Sequence, residues 1–279
     1  MTPPSPPRGD TRQPSAASTG VSTRVQHIMG TAVSIAVRVG ADSAAPPASV
    51  EAAVEEAFAV LRHADALFSP FRPDSQISRL RDGRLPPGRL HTDVLEVLEF
   101  CDDLRRSTGG YFDAYAAGPG RLDPCGVVKG WATERASAVL LEGGVAAHYV
   151  NAGGDVLLRG RPRPGRPWRI GIADPHRPGQ LISAVCGSDI AVATSGTAER
   201  GAHVLDPWRR VPAHEWASVT ITGDSLALAD GYATAAVAMG RRAIPWLATL
   251  DGYEALLVHA DGRVWCTPGF PAGDDHRRA

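Results

Sequence analysis

Hydrophobic positions along the chain switch between the spacing typical of strands and the spacing typical of helices. Within residues 25–39, Val33, Ile35 and Val37 alternate with small or polar residues, which predicts one strand. Residues 51–68 and 92–108 carry apolar side chains along one helical face, which predicts two amphipathic helices. The other predicted elements are helices over 131–141 and 226–239 and strands over 147–150, 156–158, 168–172, 190–193, 217–222, 255–259 and 264–266.

This order of elements decides the fold class. It lacks the regular alternation of strand and helix that builds a doubly wound parallel sheet, so the sequence predicts an α+β fold. Residues 1–23 are rich in Pro, Ser, Thr and Arg and are predicted to form a disordered tail. We expect a single domain over residues 24–267 and a loose tail over 268–279.

Composition and charge exclude several classes of protein. A formal net charge of -1 argues against general binding of nucleic acids, which requires a basic surplus. No stretch approaches the roughly 20 apolar residues of a membrane span, and no secretory signal is recognisable. The four cysteines are scattered, as expected in a reducing compartment, and we expect a cytoplasmic protein.

Residues 123–130 contain the first candidate for chemistry. Pro124, Gly126 and Gly130 predict a tight, bent loop in front of the helix over 131–141. Exposed backbone N–H groups before a helix suit an anion, while Lys129 adds a positive charge and Asp123 adds a carboxylate. A glycine-containing connection with a solvated lysine explains the same residues.

A second candidate lies on the predicted helix over 226–239, whose start is capped by residues 223–225. Asp230 and Thr234 are four residues apart and share one helical face. A carboxylate and a hydroxyl supply the oxygen ligands that Mg²⁺ prefers. The alternative is a solvated aspartate and a threonine bonded to its own helix.

Two further segments are compatible with a phosphate site. His203 follows a predicted small-residue turn over residues 194–196, and an imidazole there is a candidate base. The glycines of residues 153–155 allow a flat ring or a pyrophosphate to approach the backbone, although a plain β-turn explains them equally well. The chain contains none of the motifs GxxxxGK[ST], GxGxxG or GxSxG.

Taken in order, these segments resemble the FAD:protein FMN transferases, the ApbE family. The matching segments are residues 28–31 (IMGT), 68–75 (FSPFRPDS), 110–113 (GYFD), 123–130 (DPCGVVKG), 150–155 (VNAGGD), 193–196 (ATSG), 203–207 (HVLDP) and 229–234 (ADGYAT). The resemblance extends from about residue 27 to about residue 257.

The resemblance implies a function and a fold. Members of this family are transferases that move the FMN half of FAD onto a Thr or Ser hydroxyl of an acceptor flavoprotein, through a phosphoester bond, and release AMP. This protein flavinylation is a post-translational modification that requires Mg²⁺, with FAD as the substrate. The implied fold consists of two related T-fold-like halves that bind FAD between them.

The resemblance also implies the roles of individual residues. Asp230 and Thr234 correspond to side-chain metal ligands, and the carbonyl of Gly126 corresponds to a third ligand. His203 corresponds to a catalytic histidine that activates the acceptor hydroxyl. The residues at FAD-contacting positions are Met29, Phe71, Tyr111, Phe112, Asp113, Asp123, Lys129 and Val204.

The sequence departs from the family pattern at three places. Phe71 replaces a tyrosine, residues 124–125 replace two small residues, and residues 208–210 (WRR) replace a Thr-Gly turn that bears on acceptor docking. Two other functions use the same residues, namely an Mg²⁺-dependent FAD pyrophosphatase and a non-catalytic flavin-binding module. A base and a metal site argue against the module, because binding alone needs neither.

Overall fold

The structure is a computed structural model that describes residues 20–39, 46–118, 120–197 and 204–272. The strands are β1 (Gly20–Ile28), β2 (Thr31–Val39), β3 (His148–Ala152), β4 (Asp155–Arg159), β5 (Trp168–Ala173), β6 (Leu181–Gly187), β7 (Ile190–Gly196), β8 (Leu205–Asp206), β9 (Val211–Pro212), β10 (Trp216–Gly223), β11 (Glu254–His259) and β12 (Val264–Cys266). The helices are α1 (Pro47–Phe68), α2 (Gln76–Arg81), α3 (Thr92–Ser107), α4 (Cys125–Glu142), α5 (Leu226–Met239) and α6 (Ala243–Leu247), with single 3₁₀ turns at Pro87–Arg89 and Gly240–Arg242.

An antiparallel sheet of eight strands organises the fold, in the order β1-β2-β3-β4-β7-β10-β11-β12. Its two groups of four strands meet where β4 pairs with β7. The strands β5 and β6 form a separate pair, as do β8 and β9. Helices and an antiparallel sheet in this arrangement confirm the predicted α+β class.

The main hydrophobic core lies between this sheet and the helices α1, α4 and α5. Helix α4 packs against both α1 and α5, while α5 contacts β7 and β10. Helix α5 is buried on most of its surface, and alanine is its most frequent residue, which allows its backbone to approach its neighbours closely. Within the part of the chain that the structure describes, no helix is long and apolar enough to cross a membrane.

The beginning of the fold differs from the prediction. Residues 25–39 form two strands, because the chain turns at Met29 and Gly30, which have φ values of 54° and 71°. Residues 20–23, predicted as part of the tail, pair with β2 in register from Gly20 opposite Val39. The hydrogen-bonded ladder therefore extends further towards the N-terminus than the composition indicated; residues 1–19 lie outside the described part.

The predicted C-terminal tail is also wrong in its first residues. Phe270 packs against a small apolar cluster that includes Val185, and Ala272 forms a bridge with that same residue. The backbone N–H of Gly269 donates to Glu254 at 3.2 Å. These contacts attach residues 268–272 to the sheet.

The predicted loop over residues 123–130 is mostly helical, because α4 begins at Cys125. Its glycines serve close packing rather than a turn: a Cβ atom on Gly130 would lie 2.6 Å from the carbonyl oxygen of Leu226 and 2.7 Å from Cα of Ala227. The predicted turn over residues 194–196 is likewise part of β7, where Gly196 lies against the backbone of Ala217.

Candidate active site

Asp230 and Thr234 of α5 lie at the interface with the first turns of α4. The Asp230 side chain is buried, with the residue 2% exposed. A Cβ atom on Gly126 would lie 3.2 Å from Oγ1 of Thr234 and 3.0 Å from the ring of Phe112. The predicted metal ligands Gly126, Asp230 and Thr234 therefore lie on two facing helices.

Lys129, one turn further along α4, contacts two carboxylates. Its ammonium group forms an ion pair with Asp155 and lies 3.9 Å from Oδ2 of Asp230. The Lys129 side chain is only 17% exposed. It is thus a partly buried ion-pair partner, which rules out the alternative of a solvated lysine in a connecting loop.

Asp155 owes its position to the hairpin that joins β3 and β4. Gly153 and Gly154 have φ values of 63° and 98°, so the turn itself requires glycine and the plain β-turn interpretation is confirmed. The Asp155 side chain is 1% exposed, and its Oδ1 accepts a hydrogen bond from the backbone N–H of Thr194 at 3.0 Å. The carboxylate is therefore fixed on one side and paired with Lys129 on the other.

Two hydroxyl groups complete this cluster, since Oγ1 of Thr234 lies 3.3 Å from Oγ of Ser195. The neighbouring Thr194 side chain lies on the opposite face of the sheet, where its Oγ1 is 2.9 Å from Oγ1 of Thr220. Two carboxylates and one ammonium leave a net negative charge among oxygen donors. Such a set of donors fits a hard cation such as Mg²⁺.

Glu134 fixes α5 relative to α4. One of its carboxylate oxygens accepts hydrogen bonds from Oγ of Ser225 at 2.9 Å and from the backbone N–H groups of Leu226 and Ala227. Ser225 in turn accepts from the N–H of Leu228, which confirms the predicted cap. A carboxylate at a helix N-terminus also interacts favourably with the helix dipole.

The segment that contains Tyr111, Phe112 and Asp113 lies beside the start of α4. Phe112 is buried, and its N–H donates to Oγ1 of Thr108 at 3.0 Å. The Tyr111 hydroxyl accepts a hydrogen bond from Arg242. Oδ1 of Asp113 accepts from the N–H of Tyr115 at 2.9 Å.

The other predicted FAD contacts are more dispersed. Oδ1 of Asp123 accepts from the N–H of Cys125 at 3.0 Å, at the start of α4. Met29 lies in the turn between β1 and β2, and Val204 is buried in the main core. Phe71 is 93% exposed, so its ring faces solvent rather than the α4–α5 cluster. His203 lies outside the described residues.

Residues 208–210 form the tip of the short β8–β9 hairpin. Asp206 accepts hydrogen bonds from the N–H groups of Trp208 and Arg209 at 2.9 and 3.1 Å. Arg210 has a φ of 57°, a conformation that favours glycine. The Trp208 ring lies against Gly110, where a Cβ atom would come within 3.0 Å.

No local pattern in the sequence selects Asp155, Ser195 or Glu134 as site residues. Asp155 and Ser195 stand in segments that were noticed for their glycines and small residues. Their importance depends on pairings across the fold, since Asp155 and Lys129 are 26 residues apart.

Comparison with known proteins adds independent information. The model of the ApbE family matches residues 29–119 and 114–257. Relatives called FAD:protein FMN transferase include one from Rhodobacter capsulatus, 33% identical over 172 residues that cover 54% of this chain and 33% of that protein. Another, from Vibrio cholerae, is 32% identical over 129 residues that cover 43% of this chain and 39% of that protein. The chain thus matches a third to about half of the length of these curated relatives.

Solved structures show the same fold. The flavin transferase ApbE from Vibrio cholerae superimposes with a TM-score of 0.77 at 22% identity, over 91% of this chain and 99% of that one. The ApbE protein from Thermotoga maritima gives a TM-score of 0.76 at 22% identity, over 89% of this chain and 97% of that one. These similarities confirm the expected ApbE-like α+β fold.

Proposed function

Because the chain belongs to the ApbE family, we propose that it transfers the FMN half of FAD to a Thr or Ser hydroxyl of an acceptor flavoprotein and releases AMP. The observation that carries this proposal is the cluster at the α4–α5 interface, where Lys129 lies 3.9 Å from the buried Asp230. Cleavage of a pyrophosphate requires positive charge near its oxygens, and this cluster combines an ammonium group with a place for a cation.

The proposed metal ligands are the side chains of Asp230 and Thr234 and the carbonyl of Gly126. The missing side chain of Gly126 supports this assignment, because a Cβ atom would come within 3.2 Å of Oγ1 of Thr234. A helical carbonyl retains a second lone pair and remains able to act as a ligand. A bound Mg²⁺ would stabilise the negative charge on the pyrophosphate oxygens.

Lys129 is proposed to bind the pyrophosphate directly. An ammonium group has three N–H donors, so Lys129 can keep its ion pair with Asp155 and still donate to a phosphate oxygen. The buried Asp155 holds the ammonium in place, which removes part of the entropy cost of ordering a long side chain. Asp155 is therefore a positioning residue in this proposal.

The flavin is proposed to lie between the two halves of the molecule. Phe71 is proposed to stack on the flavin, since a 93% exposed aromatic ring offers a free face. The remainder of FAD is proposed to contact residues near the start of α4, namely Tyr111, Phe112, Asp113 and Asp123. Met29 and Val204 are proposed to complete these contacts.

The transfer step requires a base. We assign this role to His203, whose neutral imidazole would take the proton of the acceptor hydroxyl. The hydroxyl oxygen forms a bond to the phosphorus of the FMN half, the bond from that phosphorus to the bridging oxygen breaks, and AMP leaves with that oxygen. The proton stays on His203 until it is lost to solvent or to the product.

An assay with FAD, Mg²⁺ and an FMN-binding acceptor domain tests this function. We expect release of AMP and flavin fluorescence on the acceptor that survives denaturation. An acceptor whose target Thr is changed to Val should show no such fluorescence. The His203→Ala variant should bind FAD and fail to label the acceptor. AMP and free FMN with an unlabelled acceptor would identify a pyrophosphatase instead, and absence of AMP would identify a binding module.

A further inference from the structure

A group of metal-ligating side chains lies where α1 passes the start of α3. Nε2 of His63, in α1, is 3.5 Å from Oδ2 of Asp93, and Nδ1 of His91 is 3.7 Å from the same oxygen. The two imidazole rings meet edge to face with centroids 5.3 Å apart. One ligand atom from each residue lies within 4.8 Å of the other two.

Two of the three separations approach those of a tetrahedral zinc site, and the third, between the two imidazole nitrogens, is within 4.8 Å. Ligands about 2.1 Å from a tetrahedral Zn²⁺ are about 3.4 Å from each other. The distances of 3.5 and 3.7 Å between Asp93 and the two histidines exceed this value by only a few tenths of an ångström. Small rotations of the half-exposed imidazoles would be sufficient to close the site.

The carboxylate of Asp93 is oriented by groups outside the cluster. Its other oxygen, Oδ1, lies 3.9 Å from the guanidinium of Arg135. Arg135 pairs with Glu96 and lies over the ring of Trp131, 4.4 Å from its centroid, and the Trp131 N–H donates to the other oxygen of Glu96 at 2.8 Å. These contacts hold the Asp93 carboxylate with Oδ2 directed at the two histidines, in the way that outer-shell residues orient the ligands of metal sites.

We propose that His63, His91 and Asp93 form a site for Zn²⁺ or a similar borderline cation such as Co²⁺. Two imidazole nitrogens and one carboxylate oxygen favour these metals over Mg²⁺, which prefers oxygen alone. Three protein ligands leave one tetrahedral position for water or for a donor from another molecule. The site uses none of the residues assigned to FAD or to Mg²⁺, so it stands or falls independently of the flavin transfer.

His91 has a second role that the test must separate from metal binding. Its Nδ1 accepts a hydrogen bond from the N–H of Asp93 at 3.2 Å and so caps α3. Because that nitrogen has a single lone pair, a metal bound there would replace this hydrogen bond. The His91→Ser variant keeps an oxygen that can accept this bond but removes the imidazole. Variants His63→Gln and Asp93→Asn remove the other two ligands with little change in size.

The experiment is a calorimetric titration of the untagged full chain with Zn²⁺ in excess Mg²⁺, which keeps the oxygen site filled. We expect one Zn²⁺ per chain, with affinity about 10- to 100-fold lower in each of the three variants. His214→Ser, which removes an exposed histidine elsewhere, and Asp230→Asn should bind as the wild type does.

Co²⁺ provides a second readout, since a tetrahedral site with imidazole ligands gives visible absorption bands that the three variants should lose. The proposal is wrong if the wild type binds no Zn²⁺, or if folded variants, checked by circular dichroism, bind it with unchanged affinity. If one variant does not fold, the other two decide the outcome.

Discussion

Gly126 and Thr234 face each other across the α4–α5 interface so closely that a side chain on Gly126 would have to displace the Thr234 hydroxyl by a few tenths of an ångström. A Cβ atom on Gly126 would lie 3.2 Å from Oγ1 of Thr234, which is closer than most contacts of real Cβ atoms. Because Gly126 has helical backbone geometry, its lack of a side chain serves this approach rather than a turn.

The Gly126→Ala variant should therefore lose activity without losing its fold. Alanine favours the helix by about 0.5–1 kcal/mol, which offsets the crowding against Thr234 and Phe112. A displaced Thr234 hydroxyl should lower the transfer rate at least about tenfold. Acceptor labelling and urea unfolding of the same preparation measure the two effects.

Gly130→Ala is the matched control for that variant. Its Cβ would lie 2.6 Å from a backbone oxygen of Leu226, and backbone atoms cannot rotate away. We expect the two helices to separate and the free energy of unfolding to fall by about 1–3 kcal/mol. Equal stability of the two alanine variants would contradict this account of the interface.

Lys129→Met should destabilise the protein, because it leaves the buried Asp155 carboxylate without its ammonium partner. Asp155 is 1% exposed and would lose its ammonium partner, so we expect a loss of about 3 kcal/mol or more. Adding Asp155→Asn to the same protein should recover part of this loss, because the amide carries no charge. Urea unfolding of both single variants and the double variant gives the coupling energy. A loss of stability in the double variant equal to the sum of the two single losses would show that the two side chains do not interact.

His148 should make the stability of the fold depend on pH. Its Nδ1–H donates to the Val145 carbonyl at 2.7 Å and its Nε2 accepts from Ser137 at 2.8 Å, which is the pattern of a neutral imidazole. Burial lowers the pKa of His148 from 6.5 to about 4. The unfolded chain thus binds more protons between these values, and stability should fall as the pH is lowered through this range.

The expected loss attributable to His148 is about 2 kcal/mol between pH 6.5 and about pH 5. Other acid-sensitive groups make the same contribution to the pH dependence of the wild type and of a His148→Gln variant. The difference between the pH profiles of these two proteins therefore gives the contribution of His148. Parallel profiles of wild type and variant in urea unfolding would refute the assignment.

Arg210→Gly should stabilise the β8–β9 hairpin. Arg210 has a φ of 57°, which costs a non-glycine residue about 1 kcal/mol, and glycine adopts it without strain. We expect a gain of up to about 1 kcal/mol in the free energy of unfolding. Arg209→Gly is the control, because among the described residues Arg209 does not have a positive φ. Glycine there should lower the free energy of unfolding rather than raise it.

Hydrophobic periodicity predicted the limits of a helix well where the apolar pattern comes from that helix alone. The limits of α3 and α5 agree with the predicted segments within one residue, because their apolar spacing and the Ser225 cap are local features. The hairpin at Met29 was missed because a methionine with positive φ is rare and carries no turn signal.

Glycine was the residue whose role the sequence left most open. Gly153 and Gly154 form a true turn, whereas Gly126 and Gly130 permit two helices to touch. The two uses look alike in sequence, which is why the pattern over residues 123–130 predicts a loop where α4 already begins at Cys125. The pairing of Lys129 with Asp155 is set by the sheet order and could not be predicted from local patterns.

The site at Asp230 and Thr234 is tested most directly by a crystal structure of the protein with FAD and Mn²⁺, whose anomalous signal locates the metal. We expect the metal about 2.1 Å from a carboxylate oxygen of Asp230 and from Oγ1 of Thr234. The pyrophosphate should lie against that metal and within hydrogen-bond distance of Nζ of Lys129. A metal and a pyrophosphate bound together elsewhere, with Asp230 and Thr234 touching neither, would contradict it.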